Sequence, residues 1–175
     1  MQNKPGYTWP RDDFTRIPFG VYHDSKLYEQ EQYRIFRGPT WNYLAFEAEV
    51  PNPGDFKSVY VGDTPVVVSR DKNGTIHAFV NRCAHRGATV CREEFGVPFR
   101  NGVKGKGGLP QDFDLGCHGL QKLRIDIYCG IIFGTFSEES EPLADYLDES
   151  VTNHLARLMH KPVRILGYQR QYIPG

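Results

Sequence analysis

An excess of charge of one sign is missing from this sequence. Its 175 residues carry 21 Lys and Arg against 21 Asp and Glu, so the formal net charge is zero. Bulk charge therefore does not hold the chain to nucleic acid or to a membrane surface, and neither is expected as a partner. Long apolar runs are missing too, with nothing approaching the roughly 18 residues of a membrane span. Met1-Gln2-Asn3-Lys4-Pro5-Gly6 lacks the apolar core of a signal peptide, and the expected location is cytoplasmic. There is no internal repeat and no low-complexity tract. Cysteine is sparse, at positions 83, 91, 117 and 129. In a cytoplasmic chain, four cysteines suggest thiols or metal ligands rather than a disulfide framework.

Aromatic residues are plentiful (10 Tyr, 11 Phe, 2 Trp) and 39% of the chain is hydrophobic, which excludes general disorder. Eighteen Gly and twelve Pro imply many turns and favour a β-rich fold over a helical bundle. The length suits one domain with a core that needs no disulfide staples.

Residues 1–23 read as a turn-rich arm. Asp24 or Ser25 can cap a helix running to about Phe36, with Tyr28, Ile35 and Phe36 on one face. Trp41–Phe46, Phe56–Val61, Pro65–Arg70 and Thr75–Asn81 read as short strands. The turn between the last two ends in Asn73-Gly74, a hairpin signal, because both residues tolerate positive φ. Residues 96–116 read as a long Gly-rich loop. Its Lys104 and Lys106 do not follow the strand-to-helix pattern of a phosphate-binding loop. Strand signals return at Leu123–Tyr128 and Ile131–Phe136. Residues 141–160 read as helical, with a stripe of Val151, Leu155, Leu158 and Met159 that Pro162 stops. Val163–Ile173 reads as one more strand. The expected fold is mainly β, in antiparallel sheets with an N-terminal helix and a C-terminal helical segment. Residues 1–40 form the arm and helix, and 41–175 form the β domain.

The chemistry sits in Asn81-Arg82-Cys83-Ala84-His85-Arg86-Gly87-Ala88-Thr89-Val90-Cys91. Cys-x-His lets a thiolate and an imidazole point the same way from one tight loop, and Gly87 lets the backbone turn closely around a bound group. Mixed Cys and His ligation is what a Rieske centre uses, with two Cys on one iron and two His on the other. Cys91 is expected to pack as a small apolar group, Cys129 to lie in the core and Cys117 to be a plain thiol. His23 and His77 are expected to be structural. His154 and His160 are six residues apart, so on a helix they face different directions.

Cys83-Ala84-His85-Arg86-Gly87-Ala88 resembles the first half of the Rieske [2Fe–2S] motif in the large (α) subunit of aromatic-ring-hydroxylating dioxygenases. Ile35–Trp41, Pro51–Phe56, Gly62–Val68 and Leu120–Phe136 are similar to the family's sequence around it. The likeness leans towards members acting on aromatic carboxylic acids, such as anthranilate and salicylate hydroxylases. The resemblance implies a Rieske cluster with Cys83 on one iron and His85 on the other. It also implies electron transfer in aromatic catabolism, supplied by a ferredoxin or flavin reductase. A homotrimeric α core, or an assembly of α with a smaller β subunit, goes with it.

Two departures stand out. The family's second pair, Cys-x-x-His, is absent. After His85 the histidines are His118, His154 and His160, and three residues before them stand Leu115, Val151 and Arg157. The family would place that pair in a segment of roughly twenty residues between Gly96 and Val97, carrying the second metal loop. Three readings stand: the segment is absent from the protein, it is present in the molecule but not in the sequence, or other residues replace the ligands. For replacement the nearby candidates are Cys117 and His118, but adjacent residues point to opposite sides of an extended chain. The second departure is at Tyr172-Ile173-Pro174-Gly175, where the family continues into a catalytic domain holding iron by two His and a carboxylate. The rival expectation is a cluster-free Rieske-like interaction domain. A weaker third is a tetrahedral zinc site from Cys83, His85, Cys117 and His118.

Overall fold

A computed structural model describes residues 7, 15–82, 88–91, 95–96 and 119–168. After a 3₁₀ turn at Phe19–Tyr22 comes helix α1 (Ser25–Glu31). Asp24 is its cap, its Oδ1 accepting from the amides of Lys26 (2.9 Å) and Leu27 (3.2 Å). The helix then widens into a π-helical turn, Gln32–Phe36. That turn splits the expected shared face, because Phe36 packs against the core while Tyr28 and Ile35 do not. Tyr28 and Ile35 are 51% and 54% exposed, and the buried residue is Gln32. A π turn carries one residue more per turn, so Ile35 leaves the face that α spacing assigns it. Gln32 docks the helix, its Oε1 accepting from the Asp63 amide at 2.9 Å.

Seven strands follow: β1 (Asn42–Phe46), β2 (Phe56–Val61), β3 (Thr64–Arg70), β4 (Ile76–Val80), β5 (Phe95–Gly96), β6 (Lys122–Tyr128) and β7 (Ile131–Thr135). They form one antiparallel sheet in the order β1-β7-β6-β4-β3-β2-β5. The sheet curls until β1 also lies against β2, a nearly closed barrel as a mainly β fold requires. Leu44, Val66, Val68, Ala78 and Ile132 fill it and are fully buried.

The turns explain the register. Gly62 takes φ +57 as the first of two residues between β2 and β3, where a II′ hairpin needs glycine. Between β3 and β4, Asp71 Oδ1 accepts from the amides of Asn73 (2.8 Å) and Thr75 (2.9 Å), and Gly74 takes φ +85. Cys129 and Gly130 join β6 to β7 with φ +52 and +76. Cys129 is therefore a half-buried turn residue, not a core residue, because the two-residue hairpin demands positive φ there.

The expected helix over 141–160 is two helices, α2 (Leu143–Tyr146) and α3 (Glu149–Leu158). Leu147 closes the first and Asp148 caps the second, its Oδ1 accepting from the Ser150 amide at 2.6 Å. Of the predicted stripe, Leu155 is half-buried against Leu143 and Leu147 beside Trp41, whereas Leu158 is 70% exposed. Residues 163–168 form no strand, and 169–173 lie outside the described residues. Branched side chains favour a pleated surface but need a neighbouring strand to pair with. Among the described residues no helix is long and apolar enough to cross a membrane.

Candidate metal centre

The motif loop leaves the sheet at the end of β4 and its far end is described at Ala88–Cys91. Cys83 and His85 lie outside the described residues, as do Cys117 and His118. What the structure shows is how the two ends of the loop are held. Asn81 is 1% exposed. Its Oδ1 accepts from the amides of Val90 (3.2 Å) and Cys91 (2.9 Å). Its Nδ2 donates to the Cys91 carbonyl (2.8 Å) and to Ser58 Oγ on β2 (3.3 Å). Its own amide donates to the Pro65 carbonyl on β3 at 2.8 Å. The motif alone assigns Asn81 no role. The signal was there, since an asparagine closing a strand is a side chain able to imitate a peptide group.

The remaining candidate ligands are accounted for. Cys91 is half-buried, and burial pushes its thiol up, so it stays protonated at neutral pH. This agrees with a packing role, since the thiolate is the metal ligand. His77 Nε2 lies 3.2 Å from Asp71 Oδ2, and this contact, before the Thr75 amide, holds the Asp71 carboxyl below its usual range. His23 packs against Phe19 with ring centroids 4.6 Å apart and the rings tilted by 55°. His160 Nδ1 sits 2.9 Å from the Arg157 carbonyl just past α3. Among the described residues no three His, Cys, Asp or Glu side chains converge as a metal site.

The family's sequence model for the Rieske [2Fe–2S] domain matches residues 40–119, from the start of β1 to the start of β6. The chain belongs to the Rieske [2Fe–2S] domain family. Its relatives are large subunits of ring-hydroxylating oxygenases. It is 50% identical to the anthranilate 1,2-dioxygenase large subunit of Burkholderia cepacia, over 94% of this chain and 44% of that protein. It is 42% identical to a terephthalate 1,2-dioxygenase terminal oxygenase alpha subunit of a Comamonas species, over 95% of this chain and 46% of that protein. Rhodococcus naphthalene 1,2-dioxygenase bound to indole superposes with a TM-score of 0.66 at 30% identity, covering 77% of this chain and 34% of that one. The chain thus spans less than half the length of the curated relatives it matches.

The alignments also bear on the gap. The one with the Burkholderia protein runs over 186 residues, more than the 175 of this chain, yet takes in only 94% of it. About twenty of its positions therefore face nothing in this sequence, the length expected for the second metal loop.

A Rieske domain is built to hold a [2Fe–2S] cluster, and its ligand set is two thiolates and two imidazoles. The donors in this sequence fit half of that. Cys83 and His85 stand at the first pair's spacing, and no Cys-x-x-His occurs anywhere in the 175 residues. The sequence therefore offers at most half of that ligand set.

Proposed function

We propose that this chain is the electron-relay part of a ring-hydroxylating oxygenase large subunit acting on an aromatic carboxylic acid. The observation that carries the reading is the motif Cys83-x-His85, in a chain 50% identical to an anthranilate dioxygenase large subunit. A bound Rieske cluster supplies one-electron chemistry at a potential raised by its neutral imidazole ligands. Cys83 is the thiolate for one iron and His85 the imidazole for the other. A ferredoxin or flavin reductase is the electron donor, and the assembly is a trimer of α subunits or of α with β. The residues before 41 form an arm and helix, and those from 41 onward form the cluster domain.

The missing Cys-x-x-His favours a second reading, a cluster-free Rieske-like domain with no redox role. Visible absorption and metal analysis on the purified protein separate the two. A coloured protein with about two irons and labile sulfide, and a mass above 20.0 kDa by about twenty residues, supports the relay. A colourless, metal-free protein supports the second reading, and one bound zinc supports neither.

A further inference from the structure

We infer that Asn81 is the positioning residue of the Cys83/His85 loop, a side-chain clamp that sets how far apart the loop's two ends stand. The inference rests on the reading that this loop carries metal ligands. Asn81 Oδ1 takes the Cys91 amide while Nδ2 gives to the Cys91 carbonyl, the exchange that two paired strand residues make. The second lone pair takes the Val90 amide, and the second N–H reaches Ser58 Oγ. Both acceptor sites and both donors of the amide are thereby used. The backbone of Asn81 is itself tied to β3 through Pro65, so the clamp is anchored in the barrel rather than in the loop.

Only asparagine meets these demands. Aspartate keeps the acceptors but sets a carboxylate against the Cys91 carbonyl. Glutamine carries the amide one methylene too far. Leucine matches the volume, takes the Asn81 acceptor from the Val90 and Cys91 amides, and leaves the Cys91 carbonyl only the longer bond from Ser58 Oγ. Fixing both ends shortens the set of conformations open to residues 82–90. Outer-shell partners that restrict a ligand-bearing segment in this way strengthen metal binding by about ten- to a hundredfold.

The test uses the full chain with Asn81→Leu, Asn81→Asp and Ser58→Ala. Native-state amide exchange reads the clamp. Asn81→Leu loses protection at Val90 and Cys91 while β2 and β3 keep theirs, and Asn81→Asp and Ser58→Ala, which each remove part of the clamp, fall between. Cobalt(II) alone then reads positioning, through a thiolate-to-cobalt absorption band that Cys83→Ser removes. Asn81→Leu weakens the apparent cobalt affinity by about ten- to a hundredfold. Unchanged exchange at 90 and 91 in Asn81→Leu overturns the inference. So does a wild-type chain with no such band, or a band that Asn81→Leu leaves unchanged. Cobalt needs neither sulfide nor the second ligand pair, so the clamp can stand where the electron relay fails.

Discussion

Gly134→Ala should destabilise the wild-type protein yet stabilise a Leu44→Ala background. Gly134 lies buried in β7, paired with Asn42 of β1 and Ile125 of β6. A methyl group there would meet Leu44 Cδ1 at 2.5 Å, Leu44 Cγ at 3.2 Å and Leu123 Cδ2 at 3.4 Å. Leu44 is fully buried and cannot swing clear without leaving its rotamer. Overpacking of this kind costs about 1–3 kcal/mol. Alanine in place of glycine within a strand returns about 0.5–1 kcal/mol of backbone entropy, and the net loss is about 0.5–2 kcal/mol. Leu44→Ala alone costs about 2–5 kcal/mol through lost burial and the cavity it leaves. In that background the two closest contacts vanish and Leu123 Cδ2 remains at an ordinary distance. The methyl then fills space, and Gly134→Ala gains about 0.5–1 kcal/mol. Urea unfolding of the four proteins, with m unchanged, gives the cycle. The coupling energy should be about 1–3 kcal/mol, opposite in sign to the single costs. Equal effects of Gly134→Ala in the two backgrounds would refute the packing argument.

Other perturbations probe the surrounding structure. Lys57 Nζ lies 2.6 Å from Glu49 Oε1, and only 4% of the Glu49 side chain is exposed. Lys57→Met should cost about 3 kcal/mol, the low end for a broken buried pair, because Glu49 loses its countercharge but its Oε2 keeps the Phe46 amide, and adding Glu49→Gln should recover most of it in chemical denaturation. Burial first, and then the Glu49 carboxylate, push the Tyr43 phenol up to about 12 from 10.0. The fold favours the neutral phenol, so this stability is present below pH 10 and lost as pH rises through about 12. Absorbance titration of phenolate, set beside thermal melts across that window, checks the sign. Arg124 lies 5.0 Å over the Trp41 ring and donates to the carbonyls of Glu138, Ser140 and Glu141. Arg124→Ala should redden tryptophan emission, and Arg124→Lys should not restore it, because an ammonium lacks the planar fork.

Much of the barrel was legible from local signals. Asn73-Gly74 predicted the β3–β4 hairpin, and the branched and aromatic runs marked six strands to within a residue or so. Those signals are local, and so are the turns that obey them. The misreadings came where tertiary demands outrank spacing. The π turn at Gln32–Phe36 answers to docking on Asp63, which no periodicity announces. Asp148 reads equally as a helix residue and as a cap, and the cap won because its oxygen reaches the Ser150 amide. Val163–Tyr168 has strand-forming residues but no paired neighbour. At the site, the motif marked Cys83 and His85 as candidate ligands, whereas the bonds of Asn81 depend on Ser58 of β2 and the far end of the loop at Cys91 meeting beside it. Cys129 was misplaced because a cysteine between strands resembles a core residue until the hairpin's positive φ is known.

The central claim is that this sequence carries one of the two ligand pairs a Rieske cluster needs. Intact mass, iron and acid-labile sulfide measured on a single sample test it most directly. A chain of 20.0 kDa should hold no stable cluster. About two irons and two sulfides per chain should appear only where the mass is higher by roughly twenty residues. A 20.0 kDa protein with a full cluster that Cys83→Ser abolishes would contradict the account.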